Sequence, residues 1–174
     1  CNPEVLESHW PQFGRRTNTV FSPRDAIARP VLDADLVIGG VLIPGAAAPK
    51  LVTQDMVHSM KQGSVIVDVA IDQGGCCETS RPSSHDEPSY VIDDVVHYCV
   101  ANMPGGVPRT STFALNNVTL PHVLNLANKG YRQALLDDQY LRQGLNVYCG
   151  NITCAEVATT LGYDYLPADK ALHA

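Results

Sequence analysis

Three apolar runs in this sequence end in residues that could do chemistry. They are Val41-Leu42-Ile43-Pro44-Gly45, Ile71-Asp72-Gln73-Gly74-Gly75 and Val100-Ala101-Asn102-Met103-Pro104. Asp72 stands out among them. It follows the apolar run over 64–70 and precedes two glycines, which let a ligand come close to the backbone. A carboxylate there can act as a general acid or base, or hold a cationic group. The structural alternative is an Asp that bonds to the N–H groups of its own turn. Asp68 lies inside the run, so burial would require a partner for it, and it reads as a satisfied core carboxylate.

Other chemistries find less support. Cys76 and Cys77 follow the glycines, where a reactive thiol is conceivable. No cation neighbours them in sequence, and Glu78 would raise a thiol pKa. The six cysteines, at 1, 76, 77, 99, 149 and 154, form no CxxC pair and no zinc-finger spacing, and read as reduced thiols. The histidines, at 9, 58, 85, 97, 122 and 173, include no i, i+4 pair, so no metal site is expected. His97 reads as a packed strand histidine and His85 as part of a solvated loop. No Gly-x-Ser-x-Gly nucleophile elbow occurs.

The elements that must position these residues alternate over the first part of the chain. Helical spacing is expected over 3–13, ended by Gly14. A short β-branched strand is expected over 17–21. Ser22-Pro23 then opens a helix through Leu32, weakened by Pro30. Strands are predicted over 35–39 and 64–71, and one or two more over 90–100, with Asp93-Asp94 as the turn. Between them lies a helix over 53–61, capped by Thr53. Strands that are apolar throughout are buried on both faces. Helices alternating with such strands imply a doubly wound, Rossmann-like parallel sheet, whose ligands bind at the carboxyl ends of the strands. The texture changes after Pro108. Helices are predicted over 111–129, kinked or restarted at Pro121, and over 131–142 and 154–161, giving an all-helical tail.

Composition narrows the function classes. The chain has 174 residues, enough for one ordinary domain with a core. Its net charge of −6 argues against nucleic-acid binding, because no basic surplus exists to neutralise phosphates. With 45% hydrophobic and 17% charged residues it does not read as a disordered acidic tail. No apolar run is long enough to span a membrane, and the start does not read as a signal peptide. Reduced thiols and no leader suggest a cytoplasmic protein. No initiator Met is present, which is compatible with a gene product that starts upstream. The Gly-x-Gly-x-x-Gly fingerprint that normally opens a dinucleotide fold is absent. The sheet therefore reads as entered midway, incomplete at its N-terminus.

Three segments carry a resemblance to a known family. They are ADLVIGGVLIPGAAAPKLVT (34–53), GSVIVDVAIDQGGCCETSRPSSH (63–85) and HYCVANMPGGVPRTSTFALNNVTLPHVLNLANKG (97–130). In this order they resemble NAD-dependent alanine dehydrogenase, over nearly the whole chain. The resemblance implies reversible oxidative deamination of L-alanine to pyruvate and ammonium, with hydride passing to NAD. It implies that 1–108 are the rest of an NAD-binding domain and 109–174 a returning part of the substrate domain. It also implies a homo-oligomer, typically a hexamer.

By the same resemblance Asp72 matches the family's active-site Asp. Val41, Leu51, Val69, Asn102 and Met103 match positions lining the NAD site, and Ser22 one near the adenine. The family's glycine-rich phosphate loop, its ribose-binding acid, its substrate-binding Arg and Lys and its catalytic His would all precede Cys1. The chain alone is therefore expected to be inactive. Two alternatives remain. One is the NAD-binding subunit of proton-translocating transhydrogenase, whose corresponding loop reads Arg-Gly-Gly-Asn where this chain has Gln73-Gly74-Gly75-Cys76. The other is a non-catalytic binding or oligomerisation fragment.

Overall fold

The structure, a computed structural model, describes residues 3–20 and 24–173. The chain forms two compact units, Cys1–Leu42 with Ala48–Ala101, and Ile43–Ala47 with Asn102–Ala174.

The first unit is built on a four-stranded sheet. Its strands are β1 (Leu36–Gly39), β2 (Val65–Asp68), β3 (Ser89–Ile92) and β4 (Val95–Tyr98), in the order β1-β2-β4-β3. β1, β2 and β4 are parallel, with Gly39 opposite Asp68 and Val67 opposite Tyr98. Their carboxyl ends therefore share one edge. β3 returns antiparallel to β4 through Asp93 and Asp94, whose φ values of 51° and 60° suit a two-residue hairpin turn. Asp tolerates that left-handed backbone better than most residues, which is why the sequence could mark the turn.

Among the described residues of this unit, the α-helices are α1 (Pro3–Phe13), α2 (Arg24–Asp33) and α3 (Gln54–His58). α3 starts where the sequence places it, because Thr53 Oγ1 accepts the Met56 N–H at 3.3 Å. α2 runs through Pro30 to Asp33. The core gathers Val31, Val52, Val57, Met60, Ile66 and Val95 around Cys76 and Cys77.

Three expectations for this unit need correction. Residues 17–20 form no strand, since they pair with nothing among the described residues, and residue 21 lies outside that set. The strand expected over 64–71 ends at Asp68, and Val69–Gln73 turn into a 3-10 helix. The Asp68 side chain causes the break by accepting the Ala70 N–H at 3.1 Å, a bond that competes with the ladder. β1 is also not buried on both faces. Leu36 is 53% and Ile38 65% exposed, because β1 is the edge strand and no described element covers that side.

The second unit is helical with one small hairpin. α4 (Pro108–Lys129) passes through Pro121 as a single helix of 22 residues, so of the kink or restart expected there the restart does not occur. It buries no side chain, and Phe113, Leu115, Val118, Val123 and Leu124 are all exposed. The single helix expected over 131–142 is instead two, α5 (Tyr131–Asp137) and α6 (Gln139–Gln143). Asp138 separates them by capping α6, its Oδ1 accepting from the N–H groups of Tyr140 and Leu141 at 2.9 and 3.1 Å. Nor is the tail all-helical. β5 (Val147–Tyr148) pairs with β6 (Asn151–Ile152) across Cys149 and Gly150, both at positive φ. α7 (Ala155–Leu161) is closed by left-handed Gly162, as its sequence signals, and α8 (Ala168–His173) ends the described chain.

Candidate active site at the carboxyl edge of the sheet

β2 delivers its last residue, Asp68, into the interior, where the side chain is fully buried. A buried carboxylate must be compensated. Asp68 Oδ2 accepts the N–H groups of Cys76 and Cys77 at 2.8 and 3.2 Å and the Ser80 hydroxyl at 2.5 Å. Oδ1 takes the Ala70 N–H and lies 3.5 Å from Cys76 Sγ. Asp68 is thus the satisfied core carboxylate that the sequence suggests, and its partners show what it does. It folds the 69–80 segment back on the strand end.

The turn between those bonds carries Asp72. Gly74 and Gly75 both have positive φ, 89° and 77°. The N–H groups that Asp72 could have served are taken: Gly74 donates to the Ile71 carbonyl and Gly75 to that of Ala70, each at 2.9 Å. The Asp72 side chain is exposed, and no described residue hydrogen-bonds or ion-pairs with its carboxylate. The turn-serving role belongs to Asp68, leaving Asp72 an acid presented to the outside of a tightly bonded turn. Val69, one turn earlier, is an apolar residue left 51% exposed.

A neighbouring segment seals the turn from its other side. All five carbonyls from 73 to 77 accept from residues 48–52. The Ala48 N–H donates to Gln73 at 2.9 Å, and those of Leu51 and Val52 to Cys76 at 2.8 and 3.2 Å. Lys50 Nζ donates to the carbonyls of Gly74, Gly75 and Cys77 at 2.6, 2.9 and 3.2 Å. Sequence reading missed Lys50. Its partners lie 24 to 27 residues away, and the one available signal was a lone cation inside an apolar, Pro-rich stretch.

The remaining candidates fall as follows. Val41 leaves the end of β1 and is half-buried, packed against the core. Leu51 is also half-buried and is held by its backbone bond to Cys76. The first unit thus brings Val41, Leu51, Val69 and Asp72 to segments that are continuous with, or bonded to, the carboxyl ends of β1 and β2. Asn102 and Met103 belong to the second unit. Asn102 is left-handed at φ 58° and leads into a 3-10 turn, Met103–Gly106. Ser22 lies outside the described residues.

Cys76 and Cys77 are buried and chemically distinct. A hydrogen bond from the Cys77 thiol pulls the Cys76 pKa down, against burial and the nearby Asp68 charge. The same bond, with burial, pushes Cys77 well up. The anion that acts on both thiols is Asp68, while the Glu78 carboxylate accepts the Gln54 N–H at 2.8 Å. The ligand-type atoms of Asp68, Cys76 and Cys77 lie within 4.8 Å of one another. The Asp68 oxygens are already directed at backbone donors, so the cluster works as a structural hub. His97 is fully buried. Its Nδ1 faces the Val95 carbonyl at 3.0 Å and must carry the proton there, so Nε2 accepts from Thr79 Oγ1 at 2.8 Å. Tyr90 stacks on the ring at 5.1 Å, and burial pushes the His97 pKa down. It is a packed histidine.

A mostly parallel sheet with flanking helices, an antiparallel edge strand and an acid at the carboxyl edge define a Rossmann-like α/β domain. The chain belongs to the family described as alanine dehydrogenase/PNT, C-terminal domain, whose model matches residues 1–155. It is 58% identical to an alanine dehydrogenase of Halomonas elongata over 163 residues, 94% of this chain and 44% of that protein. It is 54% identical to alanine dehydrogenase 2 of Staphylococcus aureus over 173 residues, 99% of this chain and 46% of that protein. A solved L-alanine dehydrogenase superposes with a TM-score of 0.78 at 48% identity, over 92% of this chain and 44% of that one. A transhydrogenase from Sinorhizobium meliloti is a more distant match, with a TM-score of 0.53, 28% identity, and 63% and 31% of the two chains. The chain spans less than half the length of the alanine dehydrogenases it matches.

Proposed function

We propose that this chain is the carboxyl-terminal part of an alanine dehydrogenase. The complete protein converts L-alanine, NAD and water to pyruvate, ammonium, reduced NAD and a proton. The observation that carries the reading is Asp72, an acid with no partner among the described residues, on a doubly braced turn at the carboxyl edge of a Rossmann-like sheet, in a chain of this family. In the domain division that goes with it, 1–108 complete the NAD-binding domain and 109–174 return to the substrate domain.

The residues present fit part of such a cofactor. Val69, exposed beside an acid, and Val41, at the end of β1, offer the apolar contact that a nicotinamide ring needs. Leu51, Asn102, Met103 and Ser22 complete the cofactor set by resemblance. Bound NAD supplies the hydride acceptor, and the protein supplies orientation and the exclusion of water. Asp72 holds the substrate's ammonium group or the attacking water, and takes a proton from it. Phosphate, ribose and the rest of the substrate are left to groups that this chain does not contain, so the chain alone is inactive.

The complete protein is further inferred to be a cytoplasmic homohexamer. The apolar residues exposed on α4 and β1 support a chain that works inside a larger assembly. Among the described residues no helix is long and apolar enough to cross a membrane.

The test is Asp72→Asn in the complete protein, with alanine-dependent formation of reduced NAD as the readout. Turnover is expected to fall at least about a hundredfold, the usual scale of a general acid–base group, with the folding midpoint unchanged. Near-normal turnover would sink the role. Ser22→Ala is expected only to weaken NAD binding, and a loss of turnover at saturating NAD would contradict that.

A further inference from the structure

Lys50 has no free donor. An ammonium group carries three N–H bonds, and the three carbonyls of Gly74, Gly75 and Cys77 take all of them. It is therefore not available to substrate or cofactor in this arrangement. What it does instead follows from the backbone it holds. Consecutive glycines at positive φ are the least restrained part of any turn, since glycine enters that region without steric cost and leaves it as readily. Here the carbonyls of that turn converge on one cation. Asp68 meanwhile holds the N–H groups of Ala70, Cys76 and Cys77. Asp72 lies between the two grips, two residues before the first glycine.

We propose that Lys50 is a positioning residue for the reaction. It locks the Gly74-Gly75 turn so that Asp72 is presented in one conformation. This rests on the reading of Asp72 as the active-site acid. A carboxylate that must meet a reacting group loses rate steeply when its backbone is free to shift, even if it remains chemically intact. Two features favour this over a merely structural role. Lys50 bonds only to the turn, and its neighbours Ala48, Leu51 and Val52 already dock the two segments through the backbone. Docking does not need the ammonium, whereas the Gly74 and Gly75 carbonyls have no other partner among the described residues.

The experiment uses the complete protein and four variants: Lys50→Met, Lys50→Gln, Lys50→Arg and Asp72→Asn. Met keeps the apolar stem and removes every donor. Gln keeps some donors and Arg keeps both donors and charge. In Lys50→Met, kcat is expected to fall about ten- to a hundredfold, the scale of an ångström-sized misplacement, with KM for alanine and NAD changed less than about threefold. Arg should recover most of the loss and Gln less. Amide exchange at residues 74–77 should quicken in the same order. Wild-type kcat in Lys50→Met overturns the proposal, and so does a rise in KM that accounts for the whole defect, or an Arg variant no better than Met. If Lys50→Met does not fold, Gln and Arg decide: graded kcat at constant KM supports the role and flat kcat overturns it. If none of the three folds, Lys50 is a general determinant of the fold and the proposal fails. Asp72→Asn separates this idea from the one beneath it. Full turnover there, with loss in Lys50→Met, removes the acid and keeps the positioned turn. Loss there, with wild-type Lys50→Met, removes Lys50 and keeps the acid.

Discussion

The carboxylate of Asp68 sits across the sheet from Gly39, its register partner on β1, and the absence of a side chain at Gly39 makes room for what Asp68 binds. A Cβ at Gly39 would collide with Cys76 Sγ and lie 3.3 Å from Asp68 Oδ1. The hub of the candidate site is therefore assembled from two strand ends at once. Removing its centre should be costly. Asp68→Ala strands three backbone N–H groups and a hydroxyl in the interior, at about 1–3 kcal/mol for each group left unsatisfied. The expected result is loss of at least about 3 kcal/mol, or failure to fold, read by urea denaturation. A loss below about 1 kcal/mol would mean that water or a rearranged turn replaces the carboxylate.

Adjacent glycines of the turn should respond differently to alanine. A Cβ at Gly74 meets nothing within 4 Å, so only the left-handed backbone is strained, at about 1–2 kcal/mol. A Cβ at Gly75 lies 2.8 Å from Asp68 Oδ2 and 2.9 Å from Ser80 Cβ. Gly75→Ala adds overpacking of about 1–3 kcal/mol to the same backbone strain. Paired denaturation curves check the order, and equal losses would show that the Asp68 hub yields easily.

His97 makes stability depend on pH. Its folded pKa lies below the ordinary 6.5 because burial disfavours the charged ring, a stronger effect than the opposing bond to the Val95 carbonyl. Below pH 6.5 the unfolded chain therefore takes up a proton that the folded chain refuses. Stability is full above 6.5 and falls as pH drops from there toward the lowered folded value. Denaturation midpoints measured downward from pH 7 should decline through that window. The decline should be smaller in His97→Gln, which cannot titrate. An identical decline in that variant would assign it to other groups.

Cysteine labelling should follow burial. Cys76, Cys77 and Cys99 are buried and Cys149 is exposed. A short alkylation pulse on native protein, read by peptide mass, should leave the first three unmodified. Their labelling in urea should rise only with global unfolding. Labelling of Cys76 or Cys77 well before that midpoint would show that the hub opens on its own.

Much of this protein was legible in the residues because the deciding physics is local. Thr53 caps α3 through a bond three residues away. Asp93 and Asp94 adopt positive φ within their own turn, and Gly162 closes α7 by the same freedom. The apolar runs of β1 and β2 need only their own side chains to be recognised. The motifs around Asp72, read in order, were enough for the family. Where the signals stayed local but competed, the outcome was harder to read: α4 continues through Pro121, and Asp138 splits in two what reads as one helix. Cooperative helix bonding outlasted one missing donor, and one cap divided a continuous apolar pattern.

Tertiary structure decided everything that depends on register. β2 stops at Asp68, whose carboxylate takes the nearby Ala70 N–H and is held in the interior by Cys76, Cys77 and Ser80, which return from 8 to 12 residues further on. Residues 17–20 have β-branched character and no described partner, so they form no strand. Lys50 acquires its role from carbonyls 24 to 27 residues away, which a lone cation in an apolar stretch does not identify. Residue type fixes which bonds a group can make. Which groups come within 3 Å of it is set by the parallel pairing of β1 with β2, a property of the folded chain and not of any segment within it.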